Sequence, residues 1–199
     1  MSKSATETGK DGQPVVPFAE AAEFEAWLAK NFADCEKGIW IKFAKKGSGI
    51  PSVTYAEALD AALCYGWIDA HVRPWDDSYW VHKFIPRRVR SKWSQKNREH
   101  VARLIKSKRM KPAGLKEVKA AKADGRWEEA YASASKITVP DDLQAELDRH
   151  PDAKAFFETL KGANRYAILY RLHDAKRPET RAKRLAKYIE MLKAGETLH

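Results

Sequence analysis

The apolar residues of this 199-residue chain change their spacing along its length, and this change limits the folds available to it. Over residues 19–32 they follow the 3.6-residue period of an amphipathic helix. Between residues 38 and 87, three segments alternate apolar and polar residues as strands do: GIWIKFAKK, WIDAHVRP and YWVHKFIP. Beyond Ser94 the helical period returns. The chain is therefore predicted to be α+β, with a small three-stranded sheet and covering helices in its N-terminal half and a mainly helical C-terminal half.

Local signals place several element boundaries. Thr54 and Glu57 have the spacing of a capping box, which predicts a helix that begins there and ends at Gly66. Pro74 and Pro86 end the two segments of a predicted hairpin. Pro112 is predicted to open a helix that stops before Gly125.

The segments group into one predicted domain with a tail. Residues 1–16 begin with MSKSATETGKDG, which has almost no apolar content and predicts a disordered tail. Residues 17–126 are predicted to be the α+β core with its basic region. Residues 127–199 are predicted to be a helical region packed on that core.

Targeting and metal signals are absent from the sequence. The first residues include no apolar stretch typical of a secretory signal, and no run of 18 apolar residues occurs. Cys35 and Cys64 form no CxxC pair, and the six histidines show no zinc-binding spacing. We expect a cytoplasmic protein without a metal or another cofactor; the pattern gives no oligomeric state.

Positive charge is concentrated between His71 and Arg126, where 17 Lys or Arg face 5 Asp or Glu. Such a field attracts anionic partners, although a charge run is also a common solvated surface. In RPWDDSYWVHKFIPRRVRSKWSQKN, residues 73–97, aromatic residues are interleaved with these cations. This mixture is typical of surfaces that bind nucleic acid or acidic protein. The predicted anion-binding residues, with Trp93 as the exposed ring, are Arg87, Arg88, Arg90, Lys92, Trp93, Lys96 and Arg98.

A second hypothesis concerns catalysis. Asp69 and His71 are predicted to share one strand face, with His82 on the neighbouring strand and Cys64 close in sequence. An acid, a base and a nucleophile would then lie together. The alternative is a polar, solvent-facing strand, and we favour a protein without enzymatic activity.

Three further segments carry weaker signals. KKGSGIP, residues 45–51, joins a strand to a helix and is typical of a turn, or of a loop that holds an anion. Residues 95–124 have the outline of a helix–turn–helix with a long turn. The last helix has a basic face formed by Arg181, Lys183, Arg184 and Lys187. Such a helix either binds a membrane surface or packs its apolar stripe in the core and exposes the basic face to solvent.

Several runs resemble the YdeI/OmpD-associated, bacteriocin-protection family. They are KKGSGIPSVTYAEALDAALCYGWIDA, FIPRRVRSKWSQKNREHV, MKPAGLKEVKAAKADGRW and NRYAILYRLHDAKRPETRAKRLAKYIEMLKAGE. The resemblance extends over roughly residues 20–199. It implies defence against bacteriocins or antimicrobial peptides and association with an outer-membrane porin, and it supplies no catalytic residues. A periplasmic role has been suggested for the family, whereas no export signal is visible here.

These observations lead to one functional hypothesis with two alternatives. The first is a non-enzymatic cytoplasmic binding protein, with a role in bacteriocin protection or envelope stress, that binds an anionic partner through the basic-aromatic surface. One alternative is a nucleic-acid-binding module that uses the same residues. The other is an enzyme with a site near Asp69, His71 and His82.

Overall fold

The structure is a computed structural model that describes residues 7–199. The first six residues of the predicted disordered tail lie outside the described residues. In chain order, the elements are β1 (Val15–Pro17), α1 (Ala21–Asn31), β2 (Ile39–Ala44), α2 (Tyr55–Cys64), β3 (Trp67–Pro74), β4 (Tyr79–Pro86), α3 (Gln95–Lys106), α4 (Pro112–Ala123), α5 (Asp141–Arg149), α6 (Pro151–Thr159), α7 (Gly162–His173) and α8 (Pro178–Lys193). The predicted α+β class is confirmed.

The chain divides into two compact units. The first unit extends up to Lys92 and includes Asn97–Glu128, so it holds the whole sheet. The second consists of Trp93–Lys96 and Glu129–His199.

The sheet has four strands in the order β1-β2-β4-β3, so the prediction of three strands is wrong. β1 pairs in parallel with β2, and the other neighbours are antiparallel. The sequence did not reveal β1 because it consists of only three residues, VVP, which are too few to show an alternation. The first two residues of β1 also lie within the segment that was predicted to be a tail.

The two faces of the sheet are covered differently. On the inner face, Phe84 contacts the ring of Phe24 from α1 and the ring of Tyr55 from α2. The predicted capping box starts α2: Thr54 Oγ1 accepts from the Glu57 amide, and the Glu57 carboxylate accepts from the Thr54 amide at 2.9 Å. The helices thus bury the apolar residues that the alternation of β2 and β4 places on this side.

The outer face carries a smaller core. Val15 of β1 packs there with Trp40 of β2 and Val81 of β4, and all three are buried. Because both faces are covered, every residue of β2 from Ile39 to Phe43 is buried, including Lys42. The burial of this lysine is unusual, since charged side chains are mostly exposed unless they are paired.

The second unit has its own apolar core, formed by α5 to α8. Leu143, Leu147, Ile168 and Leu172 are fully buried or nearly so. Hydrogen bonds from the guanidinium group of Arg181 lower the pKa of Asp142 on α5. This charge-assisted pair joins α8 to α5 beside the core.

Candidate functional site

The predicted anion-binding segment begins with a turn over residues 87–92, which we call the basic turn. The Arg88 amide donates to Ser91 Oγ at 2.9 Å, and the Ser91 amide donates to the Arg88 carbonyl at 2.8 Å. The Ser91 carbonyl also accepts from Arg126 Nη1 at 3.0 Å. The backbone of the turn is therefore held from inside the first unit.

The side chains at the tip of the basic turn face solvent. Arg88, Arg90 and Lys92 are exposed, and Val89 between them is 84% exposed. The tip of the basic turn therefore presents one apolar side chain among three cations to solvent.

Two predicted anion-binding residues are buried instead. Arg87 Nη1 donates to the Lys92 carbonyl at 3.2 Å, so its guanidinium group closes the turn. Trp93 is only 2% exposed, which corrects the expectation of an exposed ring. Its carbonyl accepts from the Tyr131 amide, next to the bridge between Ser94 and Tyr131. A large apolar ring gains more from burial than from a place at the surface.

The last two predicted cations lie on α3. Lys96 is exposed. Arg98 is half-buried, with its guanidinium carbon 5.2 Å from the ring centroid of Trp127 and Nη2 3.5 Å from Glu128. Arg98 thus already has a ring and a carboxylate beside it.

A groove of about 290 Å³ lies on the outer face of the sheet and reaches the basic turn. Its charged lining consists of Asp11, Glu36, Lys37, His71, Lys83 and Arg88. Lys83 and Trp40 Nε1 both donate to the Asp11 carboxylate. The hydrogen bond from Lys83 is the main reason why the pKa of Asp11 falls to about 2.

The predicted catalytic residues are only partly brought together. His82 Nε2 lies 3.7 Å from Asp69 Oδ2, and the Tyr55 hydroxyl donates to the same oxygen at 2.9 Å. The Tyr55 ring stacks on His82, with centroids 5.0 Å apart. Burial lowers the pKa of His82 and outweighs the opposing effect of Asp69.

His71 does not join this cluster, so the prediction that it shares a face with Asp69 is wrong. Asp69 pairs with Phe84, whereas Val72 pairs with His82, and the register shifts between Asp69 and Val72. This bulge turns His71 into the outer groove with Lys83. Cys64 is buried, and this burial raises the pKa of its thiol to about 11, which disfavours the reactive thiolate.

The glycine-rich loop lines a separate cleft of about 340 Å³, together with Phe43, Tyr55 and Trp80. Lys45 Nζ donates to the Asp76 carbonyl at 2.8 Å. The Glu57 carboxylate occupies the start of α2, where an anion would have to bind. The local charge therefore favours the turn interpretation of residues 45–51 over an anion site.

Two of the four cations on the basic face of α8 form contacts within the second unit. Arg181 pairs with Asp142, and Arg184 Nη1 donates to the Arg171 carbonyl at 2.6 Å. Lys183 and Lys187 remain exposed. Across residues 7–199, no helix has the length and apolarity to span a membrane, and no cluster of three His, Cys, Asp or Glu residues is suited to a metal ion.

Sequence reasoning missed the contribution of the N-terminal segment to this region. Asp11 lies in the groove, and Glu7 pairs with buried Lys42. Both acids fall within the predicted tail. The sequence did contain a signal for these contacts: two acidic residues precede predicted strands that carry lysines.

Two family models match the chain. Residues 16–117 match the domain of unknown function DUF8412, and this segment is 102 of the 199 residues. Residues 136–195 match the family described as "Bacteriocin-protection, YdeI or OmpD-Associated". The bacteriocin-protection model therefore covers less of the chain than the resemblance suggested. Searches of the curated proteins and of the solved structures found no match. The chain belongs to the DUF8412 family and carries a YdeI/OmpD-associated, bacteriocin-protection domain in its C-terminal part.

Proposed function

We propose that this protein is a non-enzymatic binding protein that engages an acidic surface of a partner protein through the basic turn. The observation that carries this proposal is the turn itself, which hydrogen bonds hold so that three cations and Val89 face solvent. The bacteriocin-protection role named by the family match is the setting in which we place this binding.

An acidic protein fits the turn better than a nucleic acid does. Base stacking on an aromatic ring contributes about 1–3 kcal/mol per base to single-strand binding. Trp93, the ring predicted to provide it, is buried, and residues 87–92 include no aromatic side chain. Arginine pairs well with carboxylates through two parallel hydrogen bonds, and Arg88 and Arg90 are both exposed.

Binding also fits the structure better than catalysis does. The Tyr55, Asp69 and His82 cluster holds a carboxylate and a histidine, but its predicted nucleophile is a buried thiol. Its rings pack against one another on the inner face. We infer that this cluster supports the sheet.

A cytoplasmic location is part of the proposal. Cys35 and Cys64 are both free thiols, which suits a reducing compartment. Fractionation of the producing cells tests it, and recovery with the envelope fraction would contradict it.

The experiment replaces the three exposed cations of the basic turn. We expect Arg88→Ala/Arg90→Ala/Lys92→Ala to bind a fluorescein-labelled peptide of ten glutamates about tenfold more weakly, as expected for three exposed ion pairs. Fluorescence anisotropy measures the affinity. The matched control, Arg177→Ala/Lys183→Ala/Lys187→Ala, removes three exposed cations from the second unit.

Two outcomes would contradict the proposal. One is equal peptide affinity for the turn variant and the control. The other is tighter binding of a single-stranded oligonucleotide than of the peptide, with the same dependence on the three side chains. That result would identify the partner as a nucleic acid and not as an acidic protein.

A further inference from the structure

Residues 7–13 form a folded loop on the outer face of the sheet, which we call the acidic strap. The Gly9 amide donates to the Gln13 carbonyl at 2.8 Å, and the Val15 amide donates to the Glu7 carbonyl at 2.8 Å. Thr8 and Pro14 form an isolated β-bridge. The strap leads directly into β1, so its position is tied to the sheet.

Both carboxylates of the strap bind lysines of the sheet. Glu7 pairs with Lys42 of β2, and Asp11 pairs with Lys83 of β4 while accepting from Trp40 Nε1 at 3.0 Å. The side chains of Lys42 and Lys83 are 10% and 15% exposed. A buried ammonium group requires such a counter-charge, because removing it from water without a partner costs several kcal/mol.

The lysines under the strap also lie against aromatic rings. Lys42 Nζ is 5.3 Å from the ring centroid of Trp75 and 5.1 Å from that of Tyr79. Lys83 Nζ is 5.7 Å from the centroid of Trp40. The rings fix the ammonium groups in place, so the outer face presents two positioned carboxylate sites.

One of the two carboxylate sites, the contact between Asp11 and Lys83, opens into the groove that reaches the proposed binding surface. The same outer groove is lined by Asp11 and Lys83, which form the strap contact, and by Arg88 of the basic turn. Lys37 and His71 add further basic groups to its lining. The lining includes one further acid, Glu36, but Lys37, Lys83 and Arg88 give an acidic segment held at the basic turn a mainly basic path toward the site that Asp11 occupies.

We propose that the acidic strap is a built-in occupant of the binding surface, and that an acidic segment of the partner protein displaces Glu7 and Asp11 from Lys42 and Lys83. This inference rests on the proposed function and extends its site from the basic turn across the outer face. An internal competitor leaves the site open in only a fraction of the molecules. The apparent affinity for the partner is the affinity of the open state multiplied by that fraction. Weakening the strap should therefore tighten binding.

The first measurement compares affinities for the labelled ten-glutamate peptide. We expect Glu7→Gln/Asp11→Asn to bind it about tenfold more tightly than the parent, as two lost ion pairs imply. The control variant Glu158→Gln/Glu179→Gln removes two exposed acids of the second unit. It separates strap release from the general gain in positive charge. Equal affinities for the two variants would overturn the inference.

The second measurement follows hydrogen exchange in the full-length parent. Saturating peptide should speed exchange of the Gly9, Gly12 and Val15 amides, since all three are hydrogen-bonded within the strap or at its end. Unchanged protection at saturation would overturn the inference.

The combined results separate the two proposals. If the basic-turn variant loses affinity but strap protection does not change, only the displacement idea fails. If strap protection is lost but the basic-turn variant binds like its control, only the proposed role of the turn fails. If neither the parent nor the strap variant binds the peptide, both fail.

Discussion

At the scale of single residues, Asp60 on α2 is a buried carboxylate with two basic partners. Its carboxylate lies 2.7 Å from His100 Nδ1 and 2.6 Å from Arg103 Nη2. Burial favours the neutral acid, but the hydrogen bonds from Arg103 and His100 outweigh this effect and lower the pKa of Asp60. The carboxylate thereby joins α2 to α3.

We expect Asp60→Asn to lower the free energy of unfolding by about 1–3 kcal/mol at pH 7, because the charged acceptor is lost. The pKa of this carboxyl is lower in the folded state than in the unfolded state. Its stabilisation is therefore present above about pH 4 and is lost as the pH falls through the folded value. Urea unfolding should show a smaller difference between parent and variant at pH 3 than at pH 7. An equal difference at both values would contradict this explanation.

His82 titrates with the same sign as Asp60 but for a different reason and at a higher pH. Burial lowers its pKa from 6.5, so the unfolded chain takes up a proton first as the pH falls. The stability associated with neutral His82 is complete above about pH 6.5 and declines below it. We expect His82→Phe to remove this decline, so urea midpoints of parent and variant should diverge between pH 7 and pH 5. A constant difference would contradict the prediction.

At the scale of elements, strong local patterns were sufficient for most of the first unit. α1, β2 and the hairpin of β3 and β4 appear near their predicted positions, and the Thr54 capping box is present. These features depend on residues that are close in sequence. β1 and the bulge after Asp69 depend on pairing with other strands, which alternation alone cannot show.

In the candidate site, too, some features follow from the local sequence and others depend on residues that are distant in sequence. The exposure of Arg88, Arg90 and Lys92 follows from a polar segment between β4 and α3. The burial of Trp93 and the strap contact of Asp11 depend on distant partners, Tyr131 and Lys83. No local period encodes those contacts.

Close packing of α4 against the end of α2 depends on Gly114. A Cβ atom at this position would lie 2.4 Å from the Cys64 carbonyl oxygen and 2.7 Å from that of Leu63. Helix propensity alone would make Gly114→Ala stabilising by up to about 1 kcal/mol. The clash with backbone should dominate and lower the free energy of unfolding by about 1–3 kcal/mol. Urea unfolding should place Lys119→Ala, an exposed control on α4, within about 0.5 kcal/mol of the parent. A stabilised Gly114→Ala would contradict the close packing.

At the scale of the whole molecule, the positive segment between His71 and Arg126 is partly neutralised from outside. Lys83, Arg103 and Arg109 pair with Asp11, Asp60 and Glu25, which precede the segment. Arg88, Arg90 and the exposed lysines of α3 and α4 remain at the surface. We therefore expect the net charge of +10 to act mainly on association with other molecules.

We expect the association rate with the ten-glutamate peptide to fall about tenfold between 50 and 300 mM NaCl, because salt screens long-range attraction. The dissociation rate should change less. Stopped-flow anisotropy measures both rates. An association rate independent of salt would show that the exposed cations do not attract the peptide.

The strand order has a consequence for synthesis of the chain. β2 pairs with β4, and Ile39 faces Phe84, so one edge of β2 has no partner until a segment about 45 residues later has left the ribosome. Until then the nascent chain exposes IWIKFA, a run of strand-forming residues in which Lys42 is the only charge. Single charges within such runs oppose aggregation. We therefore expect Lys42 to oppose aggregation of the unfinished polypeptide, before its ammonium group binds Glu7 in the folded protein.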